Sequence, residues 1–197
     1  MKRIVDLLLA LPAFFLLSPL MLLTALLIRV KIGTPVFFRQ IRPGLHGKPF
    51  ILYKFRTMTD KRDEKGNLLP DKDRLTRLGQ FLRSSSLDEL PELYHIIRGD
   101  MSIVGPRPLL MQYLERYTSE QARRHEVKPG LTGWAQIHGR NAVTWEEKFK
   151  QDVWYVDNQS ILLDIRIVLM TFAKVIRQED ISQPGQATAE EFTGRQN

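Results

Sequence analysis

The 197-residue sequence contains no cysteine. This absence excludes disulfide bonds and thiolate metal sites, and it fits a cytoplasmic environment. Four histidines are present but far apart, with no HxxxH-type pair, so each is expected to be a surface or core residue rather than a metal ligand. The sequence also has no P-loop, no GxGxxG motif and no internal repeat. Its functional residues must therefore be sought in other patterns.

A long apolar run near the N-terminus is the most informative positive feature. Residues 7–28 carry no charge, and as a helix they would extend about 33 Å, enough to cross the hydrocarbon of a bilayer. Ser18-Pro19 lies in the middle of the run. Pro19 cannot donate to the carbonyl of Phe15, and the Ser18 hydroxyl is placed to bond a freed carbonyl one turn back. The run is too long for a signal peptide and no small-x-small cleavage site follows it.

Basic residues flank this run on both sides. Lys2 and Arg3 precede it, and Arg29, Lys31 and further arginines follow it. Because Lys and Arg favour the cytoplasmic side, a spanning helix would place one cluster on the wrong side. A helix that is broken at Ser18-Pro19 and returns would keep both clusters inside. The residues alone leave a Pro-kinked spanning helix and a re-entrant helix about equally favoured.

The remaining chain is predicted to form one domain. Net charge is +7 and the isoelectric point is about 9.8, which suits anionic lipid or a phosphorylated substrate when a membrane segment is present. Residues 36–40 and 50–58 are strand-like and joined by a turn, which predicts a β-hairpin. Helices are expected at residues 88–98, after Pro108, and from Thr144 with Glu147 completing a capping box. Residues 60–74 are expected to be a charged loop.

The last predicted helix, residues 161–176, is amphipathic. Asp164, Thr171 and Lys174 share one face, opposite a broad apolar face. That apolar face fits a membrane interface and a protein core equally well.

Candidate chemistry concentrates in residues 83–108, which include Asp88 and Glu89 side by side at an expected helix start. Ser86 and Glu89 match a capping box, which would make the acids structural. Pro91 favours a helix beginning at Asp88 instead, because a proline is tolerated in the first turn. The Asp88 carboxylate would then be free to act as a nucleophile.

Basic residues accompany the two acids in sequence. Arg107 lies between Pro106 and Pro108, so its backbone is nearly rigid and its guanidinium suits bidentate phosphate contact. Further candidates are Lys54, Arg83 and Arg140. Glycines in the stretch KPGLTGWAQ and beside Arg140 are expected to let backbone N–H groups approach a ligand. Any one of these cations taken alone is consistent with a solvated surface charge.

The segments LDELPELYHIIRGDMSIVGPRPLL, KPGLTGWAQIHGRN and the early SPL together resemble the monotopic phosphoglycosyl transferases, or bacterial sugar transferases. The resemblance runs from Arg3 to the TAEEFTG tail and is greatest to the small PglC-like members. It implies an α+β, mainly helical fold with a re-entrant membrane helix (residues 1–31) broken at Ser18-Pro19. A catalytic domain (residues 32–197) with a small β-hairpin and amphipathic interfacial helices would follow, on the cytoplasmic face of the bacterial inner membrane.

The same resemblance implies transfer of a phosphosugar from a UDP-sugar to polyprenol (undecaprenyl) phosphate, with Mg²⁺ and release of UMP. It assigns Asp88 and Glu89 to catalysis and metal binding, with Asp88 forming a covalent intermediate. Residues matching the family's substrate-binding positions are Lys54, Arg83, Pro106, Arg107, Pro108, Arg140 and Asp164.

Two other functions must be weighed against this enzyme. A membrane-anchored basic binding module without catalysis would tolerate the loss of the Asp88 carboxylate. A nucleic-acid binder would need exposed aromatics interleaved with basic residues, whereas most aromatics here follow helical apolar stripes. The sequence therefore predicts no nucleic-acid partner, and it does not specify the sugar or the oligomeric state.

Overall fold

The computed structural model describes residues 1–139, 143–177 and 191–194. Helices in this part are α1 Lys2–Lys31, α2 Asp71–Arg74, α3 Arg77–Ser84, α4 Glu92–Arg98, α5 Ser119–Ala122, α6 Trp134–Ile137, α7 Trp145–Asn158 and α8 Ile161–Arg177. Strands are β1 Phe37–Pro43, β2 Pro49–Phe55, β3 Ser102–Val104 and β4 Gly130–Thr132. Short 3-10 turns connect several of them. The expectation of a mainly helical fold with a small β-hairpin is confirmed.

Helix α1 contacts the rest of the protein at both of its ends. Its buried residues are Asp6 and Ala10 near one end and Thr24 and Ile28 near the other. No residue from 11 to 23 is fully buried, and the outer face exposes a continuous apolar surface. The helix has a mean hydropathy of 2.3 over 18 residues, so its length and composition would allow it to cross a membrane.

The helical backbone continues through Ser18 and Pro19. The Ser18 hydroxyl donates to the carbonyl of Phe15 at 2.8 Å, the carbonyl that Pro19 leaves without its helical donor. The expected hydroxyl bond is therefore confirmed. An interruption of the helix at Ser18-Pro19 is not seen, so a re-entrant path would require a bend in one continuous helix.

Polar contacts fasten the N-terminal end of α1 to the domain. Asp6 accepts hydrogen bonds from the Ser102 hydroxyl at 2.9 Å and from the backbone N–H of Ile103 at 3.0 Å. Arg3 donates to the carbonyls of Ile96 and Ile97 at the end of α4, where a cation complements the helix dipole. The N-terminal end of α1 is thus held by charge-assisted hydrogen bonds.

The β-hairpin and α4 form the core on which α1 packs. Strands β1 and β2 pair antiparallel around a turn at residues 44–48, with Ile41 opposite Ile51. Leu52 of β2 joins Leu93 and Ile96 of α4 and Ala10 of α1 in one buried cluster. Residues 60–74, the expected charged loop, are mostly exposed and end in the short helix α2.

Helix α4 is shorter and differently rotated than the sequence predicted. It begins at Glu92, after a 3-10 turn at Leu87–Glu89, and ends at Gly99, whose φ of 101° supports the expected glycine stop. Tyr94 is 45% exposed, whereas Glu92 and His95 are buried. The apolar spacing predicted Tyr94 on the buried face of this helix and was wrong there, because Glu92 and His95 are buried against polar partners instead. His95, for example, accepts from the N–H of Tyr53 at 3.1 Å.

A second small sheet was not anticipated. Strands β3 and β4 pair in parallel, and the turn after β3 packs tightly on the loop around β4. A Cβ on Gly130 would lie 2.1 Å from the backbone nitrogen of Gly105, and one on Gly133 would lie 2.2 Å from its carbonyl oxygen. These glycines therefore allow two backbone segments to approach each other, a structural role that replaces the ligand approach expected of Gly130 and Gly133.

The C-terminal helices agree with the sequence prediction more closely. Helix α7 has the Thr144–Glu147 capping box. The segment after Pro108 forms a 3-10 helix, Met111–Arg116, rather than an α-helix. Helix α8 exposes Leu162, Ile165, Leu169 and Phe172 at helical spacing, while Ile167 is buried. Its broad apolar face is therefore not protein core in the part of the chain that is described.

Candidate active site

The backbone between α3 and α4 places Asp88 and Glu89. Ser86 adopts a left-handed conformation with φ 56° and makes no side-chain cap. The 3-10 turn Leu87–Glu89 follows, and α4 begins only after Pro91. Neither sequence interpretation was right: no Ser86–Glu89 capping box forms, and no α-helix starts at Asp88. The 3-10 turn instead places the two acids in different environments, with Glu89 buried and Asp88 partly exposed.

Glu89 is the centre of a buried ion-pair cluster. Its Oε1 accepts from Lys54 Nζ at 2.6 Å and from Arg107 Nη2 at 2.5 Å. Lys54 also lies 3.0 Å from Oε1 of Glu92, which is 2% exposed. The two cations counter the burial that would otherwise protonate the Glu89 carboxylate, so its pKa lies well below its usual range. Glu89 consequently stays ionised and fixes Lys54 and Arg107.

Asp88 has a different environment. Within the described residues its carboxylate forms no ion pair, although Lys54, Arg107 and Arg83 all act on it electrostatically. Burial, together with the neighbouring charge of Glu89, raises the pKa of Asp88 to about 6 despite these three cations. A carboxylate that is close to cations and still unpaired suits a nucleophile, since its oxygens are not committed to another group.

The Pro106-Arg107-Pro108 segment is fixed by its backbone. The carbonyl of Pro106 accepts from the N–H of Gly130 at 3.0 Å, and the carbonyl of Arg107 accepts from Nη2 of Arg124 at 2.8 Å. The Arg107 side chain remains 38% exposed, so one edge of the guanidinium holds Glu89 while another remains available to a ligand. The expectation of a pre-aimed arginine agrees with this geometry.

The structure places the other predicted residues as follows. Arg83 donates to the Thr57 hydroxyl at 3.1 Å and adds positive charge beside Asp88. Arg140 lies outside the described residues. Asp164 is buried and contacts Lys2 and the Tyr155 hydroxyl. These contacts link α8 to α1 and α7, and none of them involves Asp88 or Glu89. The substrate-binding role expected of Asp164 has no support in these contacts.

Two residues of the site were not predicted from the sequence. Arg42 and Glu92 line a small cavity of about 30 Å³ together with Leu52, Lys54, Arg107 and Pro108. Burial raises the pKa of Glu92 to about 7, although Lys54 opposes the shift, and burial lowers that of Arg42 to about 10, with Arg107 adding repulsion. The signal for Glu92 was its position in the same short segment as the Asp-Glu pair, four residues after Asp88.

Protein ligands alone would not hold a metal here. The described ranges contain no cluster of three or more His, Cys, Asp or Glu side chains suited to a metal ion. Mg²⁺, however, commonly uses only one or two carboxylates and takes its other ligands from phosphates and water. Asp88 and the Glu89 oxygen not engaged by Lys54 or Arg107 fit that requirement.

Comparison with known proteins now identifies the family. The model of the bacterial sugar transferase family matches residues 1–178. The chain belongs to the bacterial sugar transferases. It is 60% identical over 194 residues to "Uncharacterized sugar transferase EpsL" of Bacillus subtilis (strain 168), covering 98% of this chain and 96% of that protein.

Other members carry descriptions of specific activities. The chain is 41% identical to a UDP-glucose:undecaprenyl-phosphate glucose-1-phosphate transferase of Xanthomonas campestris pv. campestris, over 90% of this chain and 39% of that protein. It is 39% identical to a UDP-N-acetylgalactosamine-undecaprenyl-phosphate N-acetylgalactosaminephosphotransferase of Aeromonas hydrophila, over 89% of this chain and 43% of that protein. The chain thus spans about two-fifths of the length of these two relatives, which act on different sugars.

Proposed function

We propose that this protein transfers a phosphosugar from a UDP-sugar to undecaprenyl phosphate and releases UMP. The observation that carries the proposal is the Asp88 carboxylate, which forms no ion pair with any described residue although Lys54, Arg83 and Arg107 act on it electrostatically. Relatives described as sugar-phosphate transferases to undecaprenyl phosphate support the substrate class. Because those relatives use different sugars, the proposal leaves the sugar unspecified.

In the proposed first step an oxygen of Asp88 attacks the phosphorus that carries the sugar. The bond from that phosphorus to the bridging oxygen breaks, and UMP leaves with the bonding electrons. An aspartyl-phosphosugar remains on the protein. In the second step an oxygen of undecaprenyl phosphate attacks the same phosphorus and Asp88 leaves as a carboxylate. Splitting the transfer lets a water-soluble donor depart before a lipid acceptor enters.

The cations make this attack feasible. A diphosphate and a carboxylate repel each other, so positive charge must offset both the donor and the charge that develops on UMP. Arg107 has an exposed edge for phosphate oxygens, and Lys54 supplies a second cation at the same place. Glu89 orients both through Oε1 and thereby serves as their anchor. Its own attack on phosphorus is disfavoured because the two cations bonded to Oε1 draw charge from the whole carboxylate.

We further propose that Mg²⁺ is held by Asp88 and Glu89 together with donor phosphates. The ion would supply additional charge neutralisation at the diphosphate. The chemical basis is the donor set of the site, in which two carboxylates supply hard oxygen ligands and the donor phosphates would supply others.

Attachment at one face of the bacterial inner membrane, the cytoplasmic one, completes the proposal. Both ends of α1 are buried against the same domain, while its middle is apolar and exposed. A helix that crossed the bilayer would carry one end away from that domain. We therefore infer that α1 enters the membrane around Ser18-Pro19 and returns, a monotopic arrangement. The exposed apolar face of α8 would lie at the same interface.

The decisive experiment incubates the detergent-solubilised protein with a panel of UDP-sugars and undecaprenyl phosphate and measures UMP release. Intact-protein mass spectrometry with donor alone should show a phosphosugar adduct. The adduct should be absent in Asp88→Asn and present in Asp63→Asn, which changes an exposed acid in the charged loop. Release of no UMP from any donor, with intact membrane binding, would instead favour a basic anchoring module.

A further inference from the structure

The C-terminal segment 191–194 returns to the catalytic domain and inserts a phenylalanine. Phe192 is 6% exposed and lies among four aromatic rings, those of Tyr113, Tyr117, Trp145 and Phe149. Ring centroids are 5.0 Å apart for Phe149 and 5.5 Å apart for Tyr113, both in edge-on geometry. We call these four residues the aromatic socket. Edge-to-face packing of this kind adds specificity to apolar burial.

Polar contacts hold the same segment in register. The N–H of Phe192 donates to the Tyr113 hydroxyl at 3.0 Å, and its carbonyl accepts from Arg116. Glu191 accepts from Gln112 at 2.6 Å and from Arg116 at 2.8 Å. Both backbone groups of Phe192 therefore find partners on the 3-10 helix Met111–Arg116, which begins four residues after Arg107. Segment 191–194 is therefore held both by backbone hydrogen bonds and by the packing of the Phe192 ring.

The aromatic socket is connected to Arg107 through Arg124. Two of its rings, Tyr117 and Phe149, have the Arg124 guanidinium within 5.7 Å and 5.6 Å of their centroids. Arg124 is 2% exposed, forms a buried ion pair with Asp152 at 2.7 Å, and donates to the Arg107 carbonyl at 2.8 Å. Only one ring and one guanidinium thus separate Phe192 from the backbone of Arg107.

We propose that Phe192 is a positioning residue for Arg107, acting through the aromatic socket and Arg124. The proposal rests on the function assigned above to Arg107 in donor binding. Phe192 closes the socket, and the closed socket keeps water from Arg124 and fixes its guanidinium. Arg124 then fixes the Arg107 carbonyl between two prolines, so the Arg107 side chain keeps its direction toward Glu89 and the donor.

The physical basis is that a buried guanidinium keeps its position only while the side chains packed around it stay in place. A phenylalanine deleted from a close-packed site leaves a cavity that neighbouring rings fill only partly. Tyr117 and Phe149 would then be free to move, and Arg124 would gain alternative hydrogen-bond partners in water. A shift of Arg107 of the order of 1 Å would follow, and displacements of that size can cost up to about a hundredfold in rate.

The test is a double-mutant cycle in the full-length protein. Phe192→Ala should lower kcat/KM for the UDP-sugar about tenfold to a hundredfold, mainly through KM. Thr193→Ala, which changes an exposed neighbour in the same segment, should have no effect. In an Arg107→Ala background, Phe192→Ala should cause no further loss. Equal fold-losses in both backgrounds would overturn the proposal, because a general structural defect multiplies with any other.

A second measurement does not depend on the reaction. Phe192→Ala should raise backbone hydrogen exchange in peptides that contain residues 103–113, and Phe192→Leu should restore most of the protection. Unchanged exchange there would overturn the proposal even if activity fell. If wild-type protein releases no UMP, the proposed function has failed, whereas this comparison still tests the link from Phe192 to Arg107. Where Phe192→Ala does not fold, Phe192→Leu is carried through the same cycle with smaller expected effects.

Discussion

Replacing Asp88 by asparagine should abolish the reaction and stabilise the fold at the same time. Burial raises the pKa of Asp88 from 3.8 to about 6. One pKa unit corresponds to about 1.4 kcal/mol, so the ionised side chain costs the folded state up to about 3 kcal/mol above pH 6. Asparagine has nearly the same shape without the charge. The variant should therefore gain up to that amount, which corresponds to about 6–12 °C in Tm for a chain of this size.

The pH dependence of this gain has a definite sign. The folded state binds the Asp88 proton more tightly than the unfolded chain does, since the folded pKa is the higher one. Stability from this group is therefore fully present below about pH 4 and lost as the pH rises through 6. The difference in Tm between Asp88→Asn and wild type should be small near pH 4.5 and largest above pH 6.5. It is measured by thermal unfolding in one detergent across that range.

An exposed acid provides the matched control. The backbone N–H of Asn67 lowers the pKa of Asp63, so Asp63→Asn should not gain stability with rising pH and should keep the phosphosugar adduct. A Tm difference for Asp88→Asn that is constant with pH would refute the argument from desolvation. An adduct retained in Asp88→Asn would refute its role as the nucleophile.

The remaining predictions concern the cations, the pH profile and the membrane helix. Arg107→Ala should lower kcat/KM about tenfold to a hundredfold through lost charge-assisted hydrogen bonds, and Arg107→Lys should retain part of the activity. A fully active Arg107→Ala protein would contradict the role of Arg107 in donor binding. Adduct formation should rise with pH through about 6 as Asp88 ionises, and removal of the Arg107 charge should move this rise to higher pH; rapid-quench mass spectrometry at fixed donor measures both. A cysteine at Lys2 and one in residues 60–74 should both resist an impermeant reagent outside intact cells. Labelling at position 2 alone would show that the wild-type helix spans the membrane. Pro19→Ala should increase labelling at position 2, because a restored backbone donor favours a straight, spanning helix.

Much of the site was predictable because its residues are close in sequence or in rigid turns. The Asp-Glu pair and the Pro-Arg-Pro segment were recognised as short motifs. What the sequence could not show was the division of labour between the acids, which depends on Lys54 and Arg107 reaching Glu89 from distant parts of the chain. Local capping rules predicted a helix at the pair, but a left-handed Ser86 and a 3-10 turn prevailed there.

Burial patterns failed where polar groups are buried in pairs. Glu92 and His95 lie outside the apolar positions that helical spacing picks out on α4, yet both are buried, where Lys54 pairs with Glu92 and the N–H of Tyr53 donates to His95. Hydrophobic periodicity depends only on the residues of one segment, so it cannot reveal polar partners that another element supplies. The docking of Phe192 could not be predicted for the same reason, since its aromatic socket is assembled from two separate segments of the chain.

Strand β2 and helix α4 both contact α1 and both supply residues of the candidate site. Leu52 on β2 packs in the cluster that holds α1, and Lys54, two residues further on the same face, enters the site. Two residues along a strand correspond to about 7 Å. On α4, likewise, Leu93 faces α1 while the adjacent Glu92 contacts Lys54. The cations that would receive the donor are thus held at a short, fixed distance from the membrane helix. In the proposed mechanism, an acceptor whose phosphate lies at the bilayer surface would then meet the aspartyl intermediate without leaving the membrane, so the packing of α1 would serve the transfer as well as the attachment.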